Sequence, residues 1–234
     1  MTSTRQPSPA ILPLENGDRL TRQEFERRYE AMPHLKKAEL IEGVVYVPAA
    51  LRYRKHGKPH SDVMGWLFIY AAATPGVEAA DNTTVRLDPD NDPQPDALLR
   101  IEEAYGGQSR ISDDDYVEGA PELIVEIAAS SASYDLHDKL NVYRRNQVQE
   151  YIVWRVGDRA IDWFSLQSER YTSLHPDAAG VIQSRIFPGL DLPVEAMLSG
   201  DLAKVLAVVQ QGVVSDRHQD FVTQFATQTP KNSL

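Results

Sequence analysis

The chain contains no cysteine. Disulfides, thiolate zinc sites and thiol nucleophiles are excluded together. Long apolar runs are also missing. The longest, residues 63–73, falls short of the roughly 20 residues a bilayer-spanning helix needs. Residues 1–18 hold no apolar segment of the kind a secretory signal uses, so a cytoplasmic protein is expected. Positive charge is scarce: Lys and Arg total 24 against 34 Asp and Glu, for a formal net charge of −10. That balance disfavours sequence-independent coating of nucleic acid but leaves room for a local basic groove. There is no Gly-x-Ser-x-Gly nucleophile element and no glycine-rich phosphate loop. What is present is ordinary for a globular protein. The 234 residues are 42 % hydrophobic and 25 % charged, which suits one domain with loose ends.

Residues 1–17 read as a flexible arm, 18–210 as the domain and 211–234 as a loose tail. Thr21 and Glu24 fit a capping box, which predicts a helix to about Ala31. Residues 38–48 read as two short strands hinged near Gly43. Val63, Leu67 and Tyr70 recur at helical spacing and predict a helix over residues 59–73. Strands are predicted over residues 83–87, 96–101, 122–128 and 151–155, a helix over 134–146, and a meander over 161–174. Short helices are predicted over 194–198 and 202–209. Helices set among single short strands indicate an α/β or α+β domain with a central mixed β-sheet.

Four positions stand out chemically. Glu126 lies inside the apolar run Leu123-Ile124-Val125-Glu126-Ile127-Ala128. A carboxylate in a strand buried on both faces is costly unless paired or bound to a cation. Asp96 opens another apolar strand, where a second acid could share a hard divalent cation with it. Lys139 falls on the stripe of Leu136, Leu140 and Tyr143, so its ammonium either faces an acid or phosphate, or snorkels to water. Glu39 could supply a further carboxylate, while Glu42 reads as solvent-facing. His56 reads as a loop residue and His60 as a neutral helix-start residue. Positive charge concentrates at Arg52, Arg54, Lys55 and Lys58 around Tyr53 in a predicted loop, with Arg144 and Arg145 as a second group. Cations interleaved with an aromatic suit phosphate contact and base stacking, or simply a solvated loop.

Taken in order, Ala38–Gly43, Gln94–Leu99, Gly119–Ile127, Asp135–Leu140, Gln149–Val153 and Phe187–Leu190 resemble the bacterial Uma-two family. That family, formerly a domain of unknown function (DUF820), belongs to the restriction-endonuclease-like PD-(D/E)xK superfamily. The resemblance covers roughly residues 20–200 and implies a restriction-endonuclease-like central mixed β-sheet flanked by helices. It also implies a Mg²⁺-dependent endonuclease, with Mn²⁺ as a substitute, acting on nucleic acid, DNA foremost. Asp96, Glu126 and the Ile127 carbonyl would hold the metal, with Lys139 and Glu39 completing the catalytic set. A homodimer is also expected. One departure stands: the superfamily Lys usually sits two residues after the second acid, and that place is Ala128 here. The competing class is an inactive fold of this type used for dimerisation or partner binding. Glycoside hydrolysis by paired carboxylates is a third, but leaves the Lys unexplained.

Overall fold

Strand 123–128 is buried along its whole length, and its alternation divides the interior in two. Leu123, Val125 and Ile127 enter one apolar core, while Ile124 and Ala128 enter another on the opposite face. Glu126 shares the second face by the period of two. The computed structural model describes residues 11–48, 50–129 and 131–228.

In chain order, α1 (Arg22–Glu30) starts after Thr21, whose hydroxyl accepts from the Glu24 amide. Strands β1 (Glu39–Ile41) and β2 (Val44–Tyr46) form a hairpin. Its turn holds Glu42 and Gly43, both at positive φ as a type I′ turn requires. A π-helical turn, Tyr53–Gly57, leads into α2 (Lys58–Ala72). Next come β3 (Val77–Ala80), β4 (Val85–Arg86), β5 (Ala97–Ile101), β6 (Arg110–Ile111), β7 (Val117–Glu118) and β8 (Leu123–Ala128). A helical segment follows, built of α3 (Ala132–Tyr134), a π-helical turn at Asp135–Lys139, and α4 (Leu140–Arg145). Then come β9 (Glu150–Arg155), β10 (Ala160–Gln167), β11 (Arg170–Leu174), β12 (Val181–Gln183) and β13 (Asp191–Pro193). Helices α5 (Val194–Ser199), α6 (Leu202–Val213) and α7 (Asp216–Gln228) close the chain.

The fold is a mixed α+β domain around a six-stranded sheet of order β11-β10-β9-β8-β5-β3. Only β8 and β9 pair in parallel; the other neighbours are antiparallel. Apolar residues of α2, α5, α6 and α7 cover one face. The segment 132–145 covers the other, through Leu136, Leu140 and Tyr143. A third apolar cluster joins α1 to the β1–β2 hairpin. Among the described residues, no helix is long and apolar enough to cross a membrane.

Both predicted loose ends require correction where they are described. In the N-terminal stretch, Leu14 is buried with Phe25 and Leu40, and the Gly17 amide donates to Val45 O at 2.8 Å. Residues 1–10 lie outside the described residues. In the C-terminal stretch, Gly212 meets the Gly189 backbone so closely that a Cβ at Gly212 would sit 2.0 Å from the Gly189 carbonyl oxygen. His218 Nε2 lies 2.9 Å from Thr74 Oγ1, and Phe225 is buried in the main core. Residues 211–213 thus end α6 and Asp216–Gln228 form α7, which packs on the domain through His218 and Phe225, and 229–234 lie outside the described residues. The sequence there is polar overall, so its few apolar residues give little periodic signal.

Candidate active site

Strands β5 and β8 bring the two predicted acids side by side. Their antiparallel ladder pairs Ala97 with Val125, which sets Asp96 next to Glu126 at its end. The Ile127 amide donates to Asp96 Oδ2 at 2.8 Å. Asp96 shares its face with Leu98, and Glu126 with Ile124, so both carboxyl groups belong to the side covered by segment 132–145.

Lys139 reaches the acids from that segment. Its Nζ donates to Glu126 Oε1 and to Glu39 Oε1, each at 2.8 Å. The Tyr143 hydroxyl donates to the same Glu126 oxygen at 2.8 Å. Glu39 is fixed in turn by the Gln94 amide, also at 2.8 Å. Lys139 is 2 % exposed and Glu126 3 %, so the ammonium does not snorkel. Of the two readings for this Lys, the structure shows the one aimed at carboxylates.

The sequence reading missed four groups here. His56 Nε2 lies 3.1 Å from Asp96 Oδ2, and Lys37 Nζ lies 3.0 Å from Oδ1. His60 Nε2 donates to the Asp96 carbonyl oxygen at 2.8 Å and its ring stacks on His56. Asp135 is buried one helical turn before Lys139 and accepts from the Ser131 hydroxyl. His56 is therefore no loop residue. It sits in the π-helical turn that precedes α2, and its spacing of four from His60 puts both rings on one helix face.

Electrostatics separate the two central acids. Burial pushes Asp96 upward, but the His56 hydrogen bond, the Lys37 charge and the Ile127 amide outweigh it and hold the group well below the usual carboxylate range. Burial pushes Glu126 up to about 8, aided by Asp96, Asp135 and Glu39 and opposed by Lys139. Lys139 stays charged: burial would lower it, yet Glu126, Glu39 and Asp135 raise it well above its ordinary value.

This separation makes a pH prediction. The folded chain holds the Glu126 proton more tightly than the unfolded chain, about 8 against an ordinary 4.5. The stability this gives is full below about pH 4.5 and is lost as pH rises through about 8. Glu126→Gln never ionises, so in chelator its Tm should match wild type in acid and exceed it increasingly above neutrality. Melts across this range check it; a Tm difference independent of pH contradicts the assignment.

Lys37, Glu39, His56, Asp96, Glu126, Asp135 and Lys139 line one cleft of about 470 Å³, together with Arg52 and Lys55. Arg54 and Lys58 are not part of its lining. The predicted basic loop is also a helical turn, because the helix starts ahead of Pro59. Lys58 is engaged by Asp62. Arg145 pairs with Glu42, whereas Arg144 donates to Glu169 O and forms no ion pair among the described residues. Arg52, Arg54 and Lys55 are exposed and form no ion pair among the described residues. No cluster of three or more His, Asp and Glu side chains among the described residues is arranged to hold a metal ion. The donor chemistry nevertheless fits a hard cation. Of the lining cations, Lys37 pairs with Asp96 and Lys139 with Glu39 and Glu126, while Arg52 and Lys55 form no ion pair with these acids among the described residues, and burial still pushes Glu126 upward. Two carboxylates and a backbone carbonyl, with waters, make a set that Mg²⁺ accepts.

A model of the Uma2 family, described as "Putative restriction endonuclease", matches residues 22–195. Among solved structures the chain is similar to "a putative nuclease belonging to DUF820 from Anabaena variabilis ATCC 29413". The identity is 10 % and the TM-score 0.53, over 78 % of this chain and 97 % of that one. At this identity the likeness is one of fold. None of the curated proteins matches the chain.

Proposed function

The chain belongs to the Uma2 family of restriction-endonuclease-like proteins, and from that premise we propose that it is a metal-dependent endonuclease centred on Asp96, Glu126 and Lys139. The observation that carries the reading is one buried ammonium shared by two acids, next to a third acid on the neighbouring strand. The substrate is nucleic acid, with DNA the first to test.

Asp96, Glu126 and the Ile127 carbonyl would hold Mg²⁺ or Mn²⁺. When bound, such a cation lowers the pKa of a water and offsets charge on a phosphoryl oxygen. The chain's own groups do the rest. His56 and Lys37 keep Asp96 ionised and oriented. Tyr143 fixes the Glu126 rotamer, and Glu39 holds Lys139 in place from the other side. Lys139, charged and nearly dehydrated, stabilises negative charge that develops on the phosphoryl group. In this reading the Lys two residues beyond the second acid is replaced, at Ala128, by one from the following helix. Arg52, Arg54 and Lys55 contact phosphates along the rim.

Labelled DNA and RNA incubated with Mg²⁺, Mn²⁺ or chelator test the proposal. Cleavage with either metal, abolished by chelator, is expected. Binding should weaken as salt rises, since each phosphate contact releases counterions. Absence of cleavage across substrates and both metals would favour the non-catalytic alternative.

A further inference from the structure

Beside the acids, the lining of the cleft includes a wall of Tyr46, Pro48, Leu51 and Tyr134. The wall adjoins the acid centre, with Lys139 Nζ 5.6 Å from the Tyr134 ring centre. Leu51 is 61 % exposed, and Tyr53, two residues on, is 73 % exposed. The rings of Tyr46 and Tyr134 lie 4.4 Å apart, tilted by 37°, which gives the wall an aromatic floor. The Tyr134 hydroxyl is buried and has no hydrogen-bond partner among the described residues. A buried donor of this kind is normally satisfied, so a ligand edge there would complete it. Arg52 and Lys55, without ion pairs among the described residues, also line the cleft.

We infer that this wall is a base pocket, and that the protein takes an unstacked nucleotide with its base against Tyr46, Leu51 and Tyr134 and its phosphodiester at the acids. The inference deepens the nuclease reading and rests on it. In a duplex, the base faces are stacked on their neighbours and the edges are paired, so an apolar wall beside the phosphodiester would meet nothing. In a single strand, or at a bulge or frayed end, a base can turn outward and stack on an aromatic or apolar surface. Cations on the rim then meet the flanking phosphates. The charge balance agrees: at −10 the chain has few cations with which to track a long duplex. The substrate class is therefore single-stranded or locally unpaired nucleic acid.

The test is binding of short labelled oligonucleotides to the full chain in chelator, where cleavage is blocked. Four probes are compared: single-stranded DNA, single-stranded RNA, a fully paired DNA duplex, and the same duplex with one unpaired base. Wild type should bind the unpaired probes at least about tenfold more tightly than the duplex, the scale of one base stacked on protein. The two single strands distinguish DNA from RNA as the source of the base. Leu51→Ser, at an exposed position that should not disturb folding, should erase most of that preference and leave duplex binding unchanged. Tyr134→Phe should weaken unpaired binding less, since it removes only the hydroxyl. A 2-aminopurine at the unpaired position should change fluorescence on binding to wild type and not to Leu51→Ser. Equal affinity for paired and unpaired probes overturns the inference, and so does a preference that Leu51→Ser leaves intact. Adding Mg²⁺ to the same samples separates the two readings. Duplex cleavage without a preference for unpaired bases removes the base pocket and keeps the nuclease. An intact preference with no cleavage removes the nuclease and keeps the pocket.

Discussion

Lys139→Met is expected to lower the stability of the metal-free protein by about 3–5 kcal/mol, the scale of leaving buried charge without its partner. Lys139 is the only group that touches both Glu39 and Glu126 through hydrogen bonds among the described residues. Without it, two buried carboxyl groups face each other with Asp96 and Asp135 nearby. They can escape repulsion only by taking up protons. The loss should therefore be largest above about pH 8, where Glu126 ionises even in wild type, and smaller in acid. A double variant, Glu126→Leu with Lys139→Met, should recover part of the deficit, because it removes one of the two carboxyl groups left without the ammonium and keeps Glu39. Urea unfolding of the two variants at two pH values measures this. A change under about 1 kcal/mol for Lys139→Met, as expected of a surface ion pair, would show that the ammonium is not held as described.

Asp96→Asn and Glu126→Gln are each expected to reduce cleavage about a thousandfold, the effect of losing ~4 kcal/mol of transition-state stabilisation at a metal-assisted centre. The loss should fall on kcat more than on KM, because the rim cations still hold the substrate. Neither change should unfold the chain. An Asn oxygen can still accept from the Ile127 amide, and a Gln oxygen from Lys139 and Tyr143. Circular dichroism checks the fold and a single-turnover assay checks the rate. Either variant cleaving at the wild-type rate would remove that residue from its proposed role.

The parts of this centre that could be read from sequence are those with a local pattern. Glu126 interrupts an unbroken apolar run, and burial on both faces of β8 makes that run what it is. Lys139 falls on an apolar helix stripe, a pattern that marks the residue but leaves open whether its ammonium meets an acid or reaches water. Glu39 had only a weak local signal, as an acid flanking Leu40-Ile41, and its role in the catalytic set came from the family resemblance. Lys37 was invisible, because it sits in an irregular stretch and meets Asp96 from 59 positions away. His56 was hidden by its neighbours: Arg52, Arg54 and Lys55 make the segment look like a solvated loop, and Pro59 looks like the first residue of the helix. In the structure a π-helical turn precedes α2, so the cations lie outward while His56 lies inward. Such turns are frequent at functional sites and carry no composition signal. Most strands of the sheet were legible but its order was not, and the edge strand β3, which follows the stop of α2 and pairs with β5, was not read as a strand. Leu14 and Phe225 were lost because each lies in a short apolar group within a polar stretch, and the partners that bury it are distant in sequence.

The account turns on whether Asp96 and Glu126 jointly hold a divalent cation, and diffraction from crystals soaked in Mn²⁺ tests this most directly. The predicted result is an anomalous peak between the two carboxylates and the Ile127 carbonyl, with ligand oxygens at roughly 2.1 Å, as for Mg²⁺. An empty cleft at saturating Mn²⁺, with Lys139 and Lys37 still bound to the acids, would contradict it.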